Sequence, residues 1–282
     1  MDIVLTNEEY ENIKKKKKCI GSGVDGSVFD MGNHVLYKFY HHLGDYINIT
    51  GDGVYDSDGV NVRSIRELRR IGIRDNHKPI NYVDKEGVLL FREEAIRKAI
   101  EKQKYVKYTT LPQNIIKVND RVVGCVYKKF DSKIGIYASS FLPLKYRKLI
   151  LKRLVIKVNE LHKNYIYPVT LAQKNTLFPF SSKDSNVLLC NGFDPVLIDV
   201  DGISAYYSDS FDERRYDNSM GSLSKLIIEI LTGVDLYEYE TTEDIEMLID
   251  SCIEQGISEY IMRSYVNNGR LEKKEIKELL LK

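Results

Sequence analysis

Gly21, Gly23 and Gly26 stand in the spacing G-x-G-x-x-G-x-V within CIGSGVDGSVF, with Ser22 between the first two and Val28 closing the pattern. Glycines so spaced let backbone N–H groups approach a phosphate closely. A dinucleotide loop with similar letters runs from a buried strand into a helix. The preceding NIKKKKKCIG cannot be that strand, because Lys14 to Lys18 cannot be buried on both faces. A half-exposed edge strand can hold them, with the lysine stems on apolar surface and the heads in water. After Gly26, Val28, Phe29, Val35 and Leu36 are strand formers, with turn chemistry at MGNH between them. The glycines therefore join two strands, and a third follows at once. An ordinary glycine hairpin would read the same way if this stretch stood alone.

Four other stretches carry side chains in informative places. Lys38 lies amid apolar strand residues in VLYKFY, where a lysine either faces solvent or is held inward for a purpose. Residues 183–204, KDSNVLLCNGFDPVLIDVDGIS, read as a hairpin. NVLL and VLID are its strands, Asn191-Gly192 is its turn, and Asn186 and Asp199 are its polar ends. SLSKLIIEILTG places Leu223, Leu226, Ile227, Ile230 and Leu231 at helical spacing, with Gly233 suited to the C-cap. YRKLILKRLVIKVNELHKN puts Ile150, Leu154, Val158 and Leu161 on one helical face.

Taken in order, these stretches resemble the protein-kinase-like family over roughly residues 10 to 235. Lys38 resembles the phosphate-binding lysine on the strand after the glycine loop. KDSNVLL and LIDVDG resemble K-x-x-N-(I/V)-L-L and I-D-F-G, and SLSKLIIEILTG resembles the central helix of the larger lobe. The resemblance is to a diverged member, of bacterial or viral type. It implies an α+β, two-lobed fold: a β-rich N-lobe with one regulatory helix over 1–130, and a mostly helical C-lobe over 131–282. It implies ATP and Mg2+ as cofactors. Gly21, Ser22, Gly23, Gly26 and Val28 would bind nucleotide, Lys38 would neutralise the phosphates, and Asn186 and Asp199 would hold the metal.

The departures concern catalysis. Where kinases carry the aspartate that accepts the substrate's hydroxyl proton, this chain has Ser181 or Thr170, according to the direction of counting. AQKNTLFPFS between them reads as an insertion. Asp184 is the nearest carboxylate, either a base or a solvated turn residue. DVDG keeps Asp199 but replaces the aromatic with Val200 and the glycine with Asp201, which is a second metal ligand or a loop acid. Ser219 stands where the central helix often has an aspartate.

Kinases also pair the strand lysine with a helical glutamate. VRSIRELRRIG offers Glu67, and REEAIRKAIEKQKYVK offers Glu94 and Glu101. The second stretch runs directly into two strands about an Asn119-Asp120 turn and a linker near Phe130-Asp131, which favours it, and favours Glu101 over Glu94. Residues 40–91 then form an insertion. Its GDGVYDSDGVN has the look of a calcium loop, but the ligand register fails at Val54 and Ile65, so a polar loop is expected.

The whole chain sets the bounds. Its 282 residues, 43% of them hydrophobic, suffice for one large domain or two small lobes. A net charge of +1 provides no field to recruit nucleic acid or membrane. No apolar run reaches the ~18 residues of a membrane span. MDIVLTNEEYENIKKKKK does not read as a secretory signal. Cys19, Cys125, Cys190 and Cys252 have no metal or disulfide spacing, which fits a reducing cytoplasm. The lysine run reads as a solvated face, and His41-His42 lacks a spaced third ligand. The C-terminus, with TTEDIEMLIDSCIEQ and LEKKEIKELLLK, is expected to be helical. Two functions follow from the resemblance: an atypical ATP-dependent kinase acting on protein hydroxyls, or a pseudokinase that binds ATP and regulates a protein partner. A small-molecule kinase of the aminoglycoside type would need the same missing aspartate.

Overall fold

A computed structural model describes residues 2–22, 26–40, 46–50, 53–56, 61–64, 93, 96–106, 110–130, 134–168, 171, 186–191, 193–198, 200, 205–234, 236 and 242–281. The fold is α+β. The chain divides into two compact units, Met1–Phe130 with Asp199–Tyr207, and Asp131–Ile198 with Ser208–Lys282.

The first unit is built on a mixed six-stranded sheet. In chain order its strands are β1 (Ile3–Leu5), β2 (Lys18–Ser22), β3 (Gly26–Gly32), β4 (Val35–Tyr40), β8 (Asn114–Val118) and β9 (Arg121–Lys128). In space they run β1-β8-β9-β4-β3-β2, with β1 parallel to β8 and the other neighbours antiparallel. Two tight turns fix the register. Asn33 and His34 have φ of 50° and 60°, and Asn119 and Asp120 have φ of 49° and 60°. Such paired left-handed residues match the right-handed twist of the strands they join. Strand alternation then sorts the side chains. Phe39 joins Tyr10, Phe29, Ile116 and Val126 in a cluster on one face, while Tyr40 joins Ile96, Ile115, Val122 and Cys125 in a cluster on the other.

A helix covers each face. α1 (Asn7–Lys16) begins at a capping box, in which Thr6 Oγ1 accepts from the Glu9 N–H at 3.2 Å and Glu9 Oε2 accepts from the Thr6 N–H at 2.8 Å. Lys14, Lys15 and Lys16 form its last turn, where positive charge complements the helix dipole. This corrects the expectation of an edge strand for the lysine run. The acids of NEEYEN and the lysines after them make a helix with matched ends, and only Lys18 enters β2. The second helix, α2, has described residues 93 and 96–102 and passes into a 3-10 turn at Gln103–Tyr105. Among the described residues the first unit therefore carries two helices, where one was expected.

Between β4 and α2, β5 (Tyr46–Thr50), β6 (Gly53–Asp56) and β7 (Asn61–Ser64) form a separate antiparallel sheet. GDGVYDSDGVN is thus not a continuous polar loop. Gly53–Asp56 and the residues from Asn61 onward are paired strands, and the Val-Tyr pair at 54–55 supplies strand propensity. Most of the helix considered over 62–72 lies outside the described residues, and 62–64 are strand.

The second unit is mostly helical. α3 (Leu144–Lys163) presents Ile150, Leu151, Leu154, Val158 and Leu161 inward, all fully buried. β10 (Ile166–Pro168) follows. β11 (Val187–Cys190) and β12 (Asp194–Leu197) form the expected hairpin, with Val187 opposite Leu197. α4 (Glu213–Thr232) starts where the Asp212 carboxylate accepts from the Arg215 N–H at 3.0 Å, and it ends at Gly233 with φ of 78°. Leu223, Leu226, Ile227, Ile230 and Leu231 are all buried, as the spacing predicts. α5 (Thr242–Glu254), α6 (Glu259–Asn268) and α7 (Lys273–Leu281) complete the unit. Among the described residues no helix is long and apolar enough to cross a membrane.

Candidate active site

β2 and β3 pair on either side of the glycine segment, with Gly21 next to the last residue of one strand and Gly26 the first of the other. The two glycines serve different ends. A Cβ on Gly26 would lie 2.3 Å from the Phe39 carbonyl oxygen, an impossible distance, so β3 and β4 can approach only with glycine there. A Cβ on Gly21 would meet nothing within 4 Å. Packing therefore does not require glycine at 21. Ser22 Oγ lies 3.0 Å from Ser27 Oγ across the hairpin. Gly23 is outside the described residues.

Lys38 is on β4, directly opposite Val28 on β3 and Cys125 on β9. It is only 4% exposed, which excludes the solvent-facing alternative. Its Nζ stands 5.7 Å from the Tyr40 ring centroid, on the face that α2 covers. Gly124 makes this crowding possible, since a Cβ there would lie 2.1 Å from the Lys38 carbonyl oxygen. A lysine is almost never fully buried without a counter-charge.

Glu101 is exposed, on the side of α2 opposite the buried Ile96 and Ala99, and makes no ion pair with Lys38. The phase of the buried stripe therefore argues against a pairing of Glu101 with Lys38. Glu67 and Glu94 lie outside the described residues.

At the other motif, Asn186 sits at the foot of β11, and its carbonyl accepts from the Ile198 N–H at 2.8 Å. That bond closes the base of the hairpin and brings residue 186 level with residue 198. Asp199 is next along the chain. Asp199 lies outside the described residues, as do Asp184, Lys183, Asp201, Thr170 and Ser181.

The support beneath this hairpin was not foreseen. Lys157 of α3 is buried, and its Nζ donates to Asp194 Oδ2 at 2.7 Å and to the Pro195 carbonyl at 2.6 Å. A lysine three residues after Leu154 and seven after Ile150 falls on the apolar stripe of α3, and that position was the available signal. Ser219, where the resemblance expects an aspartate, is fully buried and faces His162. Glu229 is also buried and accepts from Tyr137 Oη at 2.6 Å, tying α4 to the segment before α3.

Magnesium favours hard oxygen donors, and the side chains of Asn186 and Asp199 are of that kind. No protein-family model matches the chain, and no curated protein matches it either.

Proposed function

We propose that the chain is a protein-kinase-like, two-lobed phosphotransferase that binds ATP with Mg2+ and acts on hydroxyls of a protein substrate. The observation that carries this reading is the burial of Lys38 on the strand immediately after a glycine hairpin, in register with Val28. In this reading the backbone at Gly21, Ser22, Gly23 and Gly26 covers the phosphates, Val28 packs against the base, and Lys38 neutralises phosphate charge. Asn186 and Asp199 hold the metal, which supplies charge neutralisation for the transferred phosphoryl group. Asn186 stands at the base of the hairpin, where its carbonyl accepts from the Ile198 N–H. Asp184 is the base. Glu101 has no role in this site.

The sequence favours a second reading to one specific extent: neither Ser181 nor Thr170 can accept a proton as an aspartate does. A pseudokinase that holds Mg·ATP as a structural ligand and acts by binding a protein partner accounts for that loss. Phosphoryl transfer depends mostly on positioning and electrostatics, with a general base adding roughly 10²–10⁴-fold, so the loss weakens catalysis without forbidding it.

Incubation of the purified protein with γ-labelled ATP, Mg2+ and a generic protein acceptor separates the two. Transfer supports the kinase. Binding of Mg·ATP without transfer supports the pseudokinase. A melting temperature unmoved by millimolar Mg·ATP would remove both, because a ligand that binds only the native state must raise it.

A further inference from the structure

We propose that Asp2 is a positioning residue, which clamps α2 onto the sheet face that carries Lys38. Three elements distant in the chain meet at a cluster of four charges. Asp2 precedes β1, Glu93 and Arg97 are on α2, and Lys117 is on β8. Arg97 grips Asp2 with both terminal nitrogens, Nη2 to Oδ2 at 2.9 Å and Nη1 to Oδ1 at 3.4 Å. The same guanidinium bonds Glu93 Oε1 through Nε at 2.9 Å. Lys117 Nζ lies 3.2 Å from Glu93 and 3.5 Å from Asp2. Two acids and two bases thus alternate, and the two-pronged arginine contact fixes direction as well as distance.

The backbone holds Asp2 in place. β1 pairs in parallel with β8, setting Val4 opposite Lys117. The Thr6 capping box then turns the chain into α1, whose Tyr10 ring lies 4.7 Å from that of Phe39. Phe39 and Lys38 are neighbours on β4 with opposite faces. The segment from Asp2 to Lys16 therefore holds β4 from one side through Tyr10 and the helix over its other side through Asp2. α2 supplies Ile96 and Ile100 to the cluster around Tyr40, the ring nearest Lys38. A shift of α2 therefore disturbs the cluster around Tyr40, whose ring lies 5.7 Å from Lys38 Nζ.

The effect on nucleotide rests on the reading of Lys38 given above, whereas the effect on α2 does not. The test compares full-length Asp2→Asn and Asp2→Glu by amide hydrogen exchange over residues 96–102 and by Mg·ATP titration. Asp2→Asn should raise exchange over α2 and weaken Mg·ATP binding, each by roughly 2–5-fold, the scale of an exposed ion pair. Asp2→Glu keeps the charge and should remain near wild type in both. Arg97→Gln should reproduce Asp2→Asn from the other side of the pair. Glu11→Gln, which breaks the exposed Lys14 pair on α1, should leave α2 unchanged. Unaltered exchange in Asp2→Asn overturns the clamp, and so does Asp2→Glu behaving like Asp2→Asn. Raised exchange with unchanged affinity overturns its link to Lys38. If the wild type binds no Mg·ATP, the reading of Lys38 fails and the exchange result alone decides the clamp.

Discussion

His162 Nε2 lies 2.8 Å from Ser219 Oγ, joining α3 to α4 inside the second unit. The Tyr167 and Tyr216 rings flank the imidazole at 5.7 and 5.0 Å, and its Nδ1 has no hydrogen-bond partner. Burial, and then the nearby Lys273 charge, push its pKa down from 6.5 to about 4. Between those values the unfolded chain binds the proton and the native one does not. Stability therefore falls as pH drops through this window, by up to about 1.4 kcal/mol per pH unit, and the loss from this group is complete below the folded value. Urea midpoints measured from pH 7 to 4 should show the slope. His162→Gln, which keeps a bond to Ser219 and does not titrate, should flatten it. An equal slope in both proteins would show that other groups set the acid limb.

Gly26 and Gly21 should respond in opposite ways. Gly26→Ala forces a Cβ against the Phe39 carbonyl and should cost about 1–3 kcal/mol, as overpacking does. Gly21→Val enters open space and should leave stability within about 0.5 kcal/mol. If the loop covers phosphates, the second variant should nevertheless lose most of the Mg·ATP-induced rise in melting temperature, and Lys38→Met should lose it too. A Gly21→Val protein with normal stability and a normal nucleotide shift would return the motif to an ordinary hairpin.

Lys157→Met deletes a buried ammonium and leaves the Pro195 carbonyl without that donor. Asp194 is 43% exposed at its side chain, so water recovers part of what it loses. The expected cost is about 1–3 kcal/mol. Because Lys157 holds the hairpin that begins at Asn186, Mg2+-dependent nucleotide binding should weaken along with stability. Binding unchanged in a destabilised variant would show that the hairpin keeps its metal end without this anchor.

Asp184→Asn and Asp199→Asn separate a base from a metal ligand. The first removes basicity alone. Labelled-phosphate transfer should fall by roughly 10²-fold or more, while Mg·ATP affinity stays within about a few-fold. The second should abolish metal-dependent binding and transfer together. Transfer that survives Asp184→Asn would assign the proton to another acceptor.

Local pattern was enough for the turns and for the long helices of the second unit. Asn-His and Asn-Asp between strand formers announce their turns, because only left-handed residues close a two-residue hairpin. The helical stripes of α3 and α4 are legible because burial follows a fixed period. The lysine run misled because its side chains were weighed without the acids before it, which turn the same charges into a helix terminus. The Lys38–Val28 register follows from the hairpin. The partners of Asp2 do not: Arg97 and Lys117 are 95 and 115 positions away, and no local pattern encodes a contact at that distance. Lys157 and Ser219 lie between these cases. Each stands out as polar on an apolar stripe, but its partner is on another element.

The burial of α3 against α4 also bears on synthesis. The inward face of α3 is complete once residue 161 is made, yet α4, which ties to it at His162–Ser219, ends at Thr232. At the usual pace of translation, roughly 5–20 residues per second, the intervening stretch takes about 4–14 s. Throughout that interval the part of the α3 surface that packs on α4 lacks that neighbour. The nascent chain is then a target for holdase chaperones, and a ribosome stall between these helices should leave it stickier than a stall after α4.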